Sequence, residues 1–241
     1  MKEEAEEIRQ RLKEKARPEK VFFLKRVLAT PFEVIGITTP DSRNIAKDYK
    51  NLEIYDLYNL FDELFSSKIH EEKSIAIHIL QQYKKSFNLE TWKFLKARLN
   101  KAVTWDHIDY LATDIFADIL LNNIQLMGEV KEMAESRNPW ERRLAVESTM
   151  KLIKKNKIEL TLRLAEKLVY DKDTYVQKGV GWMLREAGKK DRLTVRDFIL
   201  MHIDMKPIAF SYATEKMPEL RKIRKEKMKE KKEKEKSERK R

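Results

Sequence analysis

Residues 136–155 read SRNPWERRLAVESTMKLIKK. Asn138 is of a type that caps helices, Pro139 suits the first helical position, and Glu141 stands three residues after the cap. Apolar residues then recur at helical spacing, so a helix is expected over 138–154. The same rhythm extends in both directions. Toward the N-terminus it predicts helices over 3–15, 19–30, 53–66, 70–85, 90–100, 104–120 and 122–135. A further helix starts near Thr39, with Thr39 as cap, Pro40 at the first helical position and Asp41 in the first turn. Toward the C-terminus it predicts 158–170, 173–188, 191–203 and 207–217. Short helices joined by a few residues suit stacked antiparallel pairs. No sequence repeat is visible, so an α-solenoid rests on the rhythm alone, and a compact helical bundle is the structural alternative.

Composition narrows the function classes. Five Gly and six Pro among 241 residues are too few for the turns of an all-β fold. Cysteine is absent, which excludes disulfides, thiolate metal sites and a thiol nucleophile. The four histidines form no paired zinc motif, and no Gly-rich phosphate loop occurs, so neither a metal nor a nucleotide cofactor is expected. No apolar run is long enough to span a bilayer. The charged start, MKEEAEEIRQ, does not read as a signal peptide, and a cytoplasmic protein is expected. The net charge is +12, and residues 221–241 hold 13 Lys/Arg against five Glu. Residues 219–241 therefore read as a basic Lys/Glu-rich C-terminal tail, solvated or disordered. It would either attract polyanions or keep the chain soluble.

Trp105 and Asp109 in TWDHIDYLA are four residues apart, on one face of their helix. An indole beside a carboxylate suits a sugar that develops positive charge, because the carboxylate stabilises the cation and the ring excludes solvent. The plainer reading is a half-buried tryptophan beside a surface aspartate. Arg143 could bind a phosphate or pair with Asp109; its neighbour Arg142 reads as an ordinary exposed arginine. Trp182 lies on a helix that also holds Gly179 and Gly181, which suggests close approach of a ligand or of another helix. Trp140 is read as groove-lining or core, and Trp92 as core.

Four segments, GITTPDSR (36–43), TWDHID (104–109), NPWERRLAV (138–146) and VQKGVGWMLRE (176–186), occur in order and at compatible spacing. With the stretch around FSYATEKM (210–217), they resemble the AlkD-like DNA alkylation repair family over roughly residues 20 to 217. The resemblance implies an all-α superhelix of HEAT-like repeats with a concave DNA-binding groove. Residues 1–218 would form this single domain. It implies Asp109 as the catalytic carboxylate, Trp105 and Trp182 as active-site aromatics, and Arg143 as the groove arginine. Arg43, Trp140, Lys178 and Arg185 fall in the same motifs and are read with Arg143 as DNA contacts. A tyrosine expected before GITTP has no counterpart, and Val27 falls near its place.

The expected activity is hydrolysis of the N-glycosidic bond of N3- or N7-alkylated, cationic purines in duplex DNA. The expected state is a cofactor-free monomer associated with the nucleoid through DNA. The alternatives are a noncatalytic HEAT-repeat protein that binds damaged or branched DNA, and a protein–protein scaffold.

Overall fold

A computed structural model describes residues 1–238. The helices in chain order are α1 (Lys2–Lys15), α2 (Pro18–Leu28), α3 (Thr39–Ala46), α4 (Ile54–Phe65), α5 (His70–Gln81), α6 (Leu89–Lys96), α7 (Trp105–Tyr110), α8 (Ala117–Asn122), α9 (Met127–Met133), α10 (Pro139–Glu147), α11 (Met150–Lys154), α12 (Glu159–Leu168), α13 (Thr174–Gly188), α14 (Arg192–Met201), α15 (Pro207–Ala213) and α16 (Glu219–Glu238). Short 3-10 turns link several of them. The extended pairing found among the described residues is one isolated bridge, between Glu33 and Ile69. The chain divides into two compact units, Met1–Asn123 and the residues from Ile124 onward.

The first unit is organised around α5. Eleven consecutive residues, His70–Leu80, are buried, although HEEKS opens the helix. That burial holds because the polar groups are bonded. Glu71 accepts backbone N–H bonds from Ile35, Gly36 and Ile37. Glu72 pairs with Arg9 at 3.1 Å. Lys73 donates to the Phe65 carbonyl and lies 4.5 Å above the Phe32 ring. Glu71 thereby pins the GITTP loop. Gly36 has φ +90°, and a Cβ there would lie 2.2 Å from the Arg17 carbonyl oxygen, so only glycine fits.

The expected cap at Thr39 is corrected to Thr38. The Thr38 hydroxyl accepts from the Asp41 backbone N–H and donates to the Asp41 carboxylate at 2.6 Å. Asn88 and Thr91 form a reciprocal capping box at the start of α6. Residues 105–122 are continuous helix where 104–120 is expected, with Leu111–Phe116 π-helical between α7 and α8, and the helix expected over 122–135 is a 3-10 turn followed by α9 at Met127–Met133.

The second unit is organised around α13. Asp173 caps it through Tyr175 and Val176. Gly179 and Gly181 serve helix packing. A Cβ at Gly179 would meet Glu147 Oε1 at 2.9 Å, and one at Gly181 would meet the Ala209 carbonyl oxygen of α15 at 2.5 Å. Asn138 caps α10 by accepting from Trp140 N–H at 3.0 Å. The single helix expected over 138–154 is two, because the Ser148 and Thr149 hydroxyls bond back to the Ala145 and Val146 carbonyls at the break. Trp92 is fully buried in the first unit's core. Arg142 is not an ordinary exposed arginine, since it forms a two-pronged bond to Asp171 at 2.7 and 3.0 Å. The tail reading also changes at its near end. Leu220 is buried, and Arg224 donates to the Met205 carbonyl and lies 4.2 Å above the Phe210 ring. Residues 239–241 of the expected tail lie outside the described residues.

Candidate functional site

Trp105 and Asp109 stand one turn apart on α7, and both are half-buried. The Trp105 indole N–H donates to the Val27 carbonyl at 3.2 Å. The indole is thus fixed to the C-terminal end of α2, beside the place where the resemblance expects a tyrosine. The Val27 side chain is 47% exposed. The Asp109 carbonyl accepts from the Thr113 hydroxyl at 2.8 Å, at the start of the π-helical segment. π-turns inserted into α-helices are frequent at functional sites, and this one follows directly on the helix that carries the pair.

The other titratable residues of α7 face inward. Asp106 Oδ2 lies 2.8 Å from His70 Nε2. Burial alone would raise the Asp106 pKa, but the His70 hydrogen bond is among the effects that hold it well below the usual carboxylate range. His107 is fully buried, stacks on His70 at 4.1 Å, and bonds Ser74 at 2.9 Å and Thr104 at 2.8 Å. Burial pushes its pKa down to about 3, so it is neutral.

His70, Asp106 and His107 could offer ligand atoms within 4.8 Å of one another. Both His107 nitrogens are already bonded to hydroxyls, however, and His70 Nε2 is already engaged by Asp106 Oδ2. The donor set fits a structural hydrogen-bond network better than a cation. None of these contacts was anticipated from the sequence. The only signal is that HEEKS must be satisfied if α5 is central.

In the second unit Trp182 is half-buried on α13. Arg143 is 4% exposed, with its guanidinium 2.8 Å from Glu147 and donating to the Tyr175 carbonyl. Tyr175, missed in the sequence reading, links two predicted contacts. Its ring lies 5.1 Å from that of Trp140, and Lys178 Nζ lies 5.0 Å above it. Arg185 is engaged by Glu186 and Glu215. In the first unit Arg43 is exposed, with its guanidinium 5.8 Å from the Tyr110 ring centre. The structure thus groups Trp105 with Asp109, and Trp140 with Lys178 through Tyr175.

The sequence profile of the family described as DNA alkylation repair enzyme matches residues 8–217. The chain belongs to that family. No curated protein sequence matches it. Among solved structures it is similar to a predicted DNA alkylation repair enzyme from Enterococcus faecalis, with 19% identity and a TM-score of 0.75. That match covers 84% of this chain and 97% of the other. It is also similar to AlkD2 from Streptococcus mutans, with 20% identity over 82% of this chain and 97% of the other, at a TM-score of 0.58. A third likeness is smu.31 from Streptococcus mutans UA159, with 21% identity over 73% and 91% of the two chains and a TM-score of 0.57. The all-α helical-repeat fold expected from the sequence is therefore the fold of this DNA alkylation repair protein. Among the described residues no helix is long and apolar enough to cross a membrane.

Proposed function

We propose that this DNA alkylation repair protein is a glycosylase that hydrolyses the N-glycosidic bond of cationic N3- or N7-alkylpurines in duplex DNA, initiating base excision repair. The observation that carries the reading is the Trp105–Asp109 pair, one indole and one carboxylate on a single half-exposed helix face, in a member of this family.

Alkylation places a positive charge on the purine. When the bond between C1′ and the purine nitrogen breaks, its electron pair returns to the ring, and the base leaves neutral without an acid catalyst. The sugar becomes oxocarbenium-like, as in glycoside hydrolysis. The ionised Asp109 carboxylate stabilises that charge and orients a water, whose oxygen bonds to C1′ while its proton passes to Asp109 and then to solvent. Trp105 packs against the deoxyribose and keeps bulk water out, and Trp182 contributes an aromatic contact to the DNA backbone. Trp140, Lys178, Arg185, Arg43 and Arg143 contribute DNA contacts. The chain acts as a monomer in the cytoplasm, on the nucleoid, and needs no metal or nucleotide cofactor.

The Trp140–Tyr175–Lys178 cluster of the second unit favours a second reading, in which the chain binds damaged or branched DNA without cleaving it. The deciding experiment incubates the protein and its Asp109→Asn variant with a duplex that carries one N7-methylguanine. Free base from the wild type, and loss of about 10²–10³-fold in the variant with DNA affinity retained, is the expected result. A folded protein that binds the duplex yet releases base no faster than buffer leaves only the binding reading.

A further inference from the structure

Helix α16 (Glu219–Glu238) lies beyond the residues that the family profile matches, 8–217. Its composition is that of a solvated helix, yet one side of it is held against the second unit. Leu220 is buried, and Ile223 and Met228 are half-buried. Arg224 donates to the Met205 carbonyl at 2.6 Å and covers the Phe210 ring. Lys231 pairs with Asp204 at 3.3 Å, and Asp204 also accepts from the Tyr170 hydroxyl at 2.7 Å. Positions 220, 224, 228 and 231 share one helix face, so these anchors hold α16 in a fixed direction over about three turns.

The charges on the rest of the helix are sorted by side. Lys222, Lys225 and Lys229 follow one another at steps of three and four residues, on the side turned away from the anchors, and all three are exposed. Lys232 and Lys236 continue the same spacing in the sequence. Glu226, Glu230 and Glu233 form a separate, neighbouring stripe. Lys229 reaches Glu233 at 3.8 Å, an exposed pair of the kind that contributes little. Cations at this spacing stand about 5 Å apart along the helix axis. No apolar side chain shares their stripe. A helix that lies in a membrane surface needs an apolar face for the lipid, and one seated in a protein groove needs apolar anchors. In α16 the apolar residues Leu220, Ile223 and Met228 are spent on the second unit. A bare row of cations fits a partner with a dense row of anions, and duplex DNA carries one negative charge per about 1.7 Å of its axis.

We propose that α16 is an additional DNA-binding element, on which Lys222, Lys225 and Lys229 contact phosphates of duplex DNA whether or not a lesion is present. It reads no sequence and takes no part in bond cleavage. Its contribution is affinity for any duplex, which keeps the protein on DNA between lesions. This role rests on membership of the DNA alkylation repair family and not on the glycosylase reading.

The test uses the full chain and a short unmodified duplex, with binding followed by fluorescence anisotropy over a series of salt concentrations. Wild type is compared with the triple variant Lys222→Gln, Lys225→Gln, Lys229→Gln. A control triple, Lys154→Gln, Lys155→Gln, Lys157→Gln, removes the same charge from other exposed positions of the second unit. All six side chains are exposed, so both variants should melt as wild type does. The stripe variant should bind at least about tenfold more weakly at low salt, with a salt slope shallower by about two to three, and the control should stay close to wild type. Unchanged affinity and slope in the stripe variant would overturn the proposal, and so would an equal loss in the control, which would make net charge the cause. Phosphatidylserine vesicles are the second probe. If the stripe variant loses vesicle binding while its duplex binding stays intact, the face belongs to a membrane and not to DNA. Single-turnover release of N7-methylguanine at saturating protein should be equal for wild type and stripe variant, and a slower variant would place the stripe at the reacting centre instead. If wild type releases no base, the glycosylase reading fails, and the anisotropy series still decides the role of α16.

Discussion

The indole N–H of Trp105 is bonded to the backbone carbonyl of Val27, 78 residues earlier in the chain, at 3.2 Å. The bond ties α7 to the last turn of α2, a helix with no buried residue of its own. Trp105→Phe keeps an aromatic ring at the site and removes the donor. A hydrogen bond of this kind contributes about 0.5–1.5 kcal/mol net, so the variant should remain folded. Loosening the end of α2 should still slow base release by about tenfold, because small misplacements at a reacting centre are costly. Single-turnover release from a 7-methylguanine duplex measures this. Equal rates for Trp105→Phe and wild type would mean that the indole N–H holds nothing the reaction needs.

Acid should weaken the first unit in two stages. His78 and His107 are held neutral by burial, with pKa values pushed down to about 4 and about 3. The unfolded chain protonates each near pH 6.5, so unfolding takes up protons as the pH falls below that value. Their contribution is complete above about pH 6.5 and is lost toward pH 4, with a limiting slope of about 1.4 kcal/mol per pH unit for each histidine. Asp106 is depressed, so its contribution holds above about pH 3.9 and is lost only below it. Urea midpoints taken between about pH 7.5 and pH 5 should fall, and His78→Gln should flatten the fall. A level profile would mean that the folded protein accommodates charged histidines.

Gly36→Ala should be among the most damaging small substitutions. The residue has φ +90°, and the new methyl would sit 2.2 Å from backbone rather than from a movable side chain. Strain of this kind costs about 1–3 kcal/mol, and the loop could relax only by giving up N–H bonds to Glu71. A thermal melt of the variant should fall by several degrees, whereas Gly128→Ala, with nothing within 4 Å of its Cβ position, should not destabilise.

Helix positions were legible because the apolar rhythm survives nearly everywhere. The cap at Asn138, followed by proline, was legible because its chemistry is local. Thr38 and Thr39 are adjacent and equally able to cap, and only the bond to Asp41 separates them. The burial of HEEKS on α5 was hidden because each partner, Arg9, the 35–37 backbone and Asp106, is distant in sequence. The π-helical segment at LATDIF carries no local signal. Of the candidate site, Trp105 and Asp109 were legible from their spacing. Tyr175 was not, because its contact with Trp140 joins two helices.

Arg143 offers the sharpest separation between packing and function. It is 4% exposed and paired with Glu147, which is fully buried. Removing one partner of a buried pair strands the other charge and costs about 3–5 kcal/mol. Glu147→Leu and Arg143→Met should therefore each destabilise strongly. The double variant should recover much of the loss, because no charge is left stranded, while the Tyr175 carbonyl loses its Arg143 donor. Chemical denaturation of the three variants measures the coupling. The double variant then reports on function without an unfolding artefact. If Arg143 also holds a phosphate, the folded double variant should bind duplex DNA more weakly, with a salt slope shallower by about one. If its DNA affinity and slope match wild type, Arg143 serves the fold of the second unit alone, and the phosphate contact must come from elsewhere, with Lys178 beside Tyr175 the next residue to substitute.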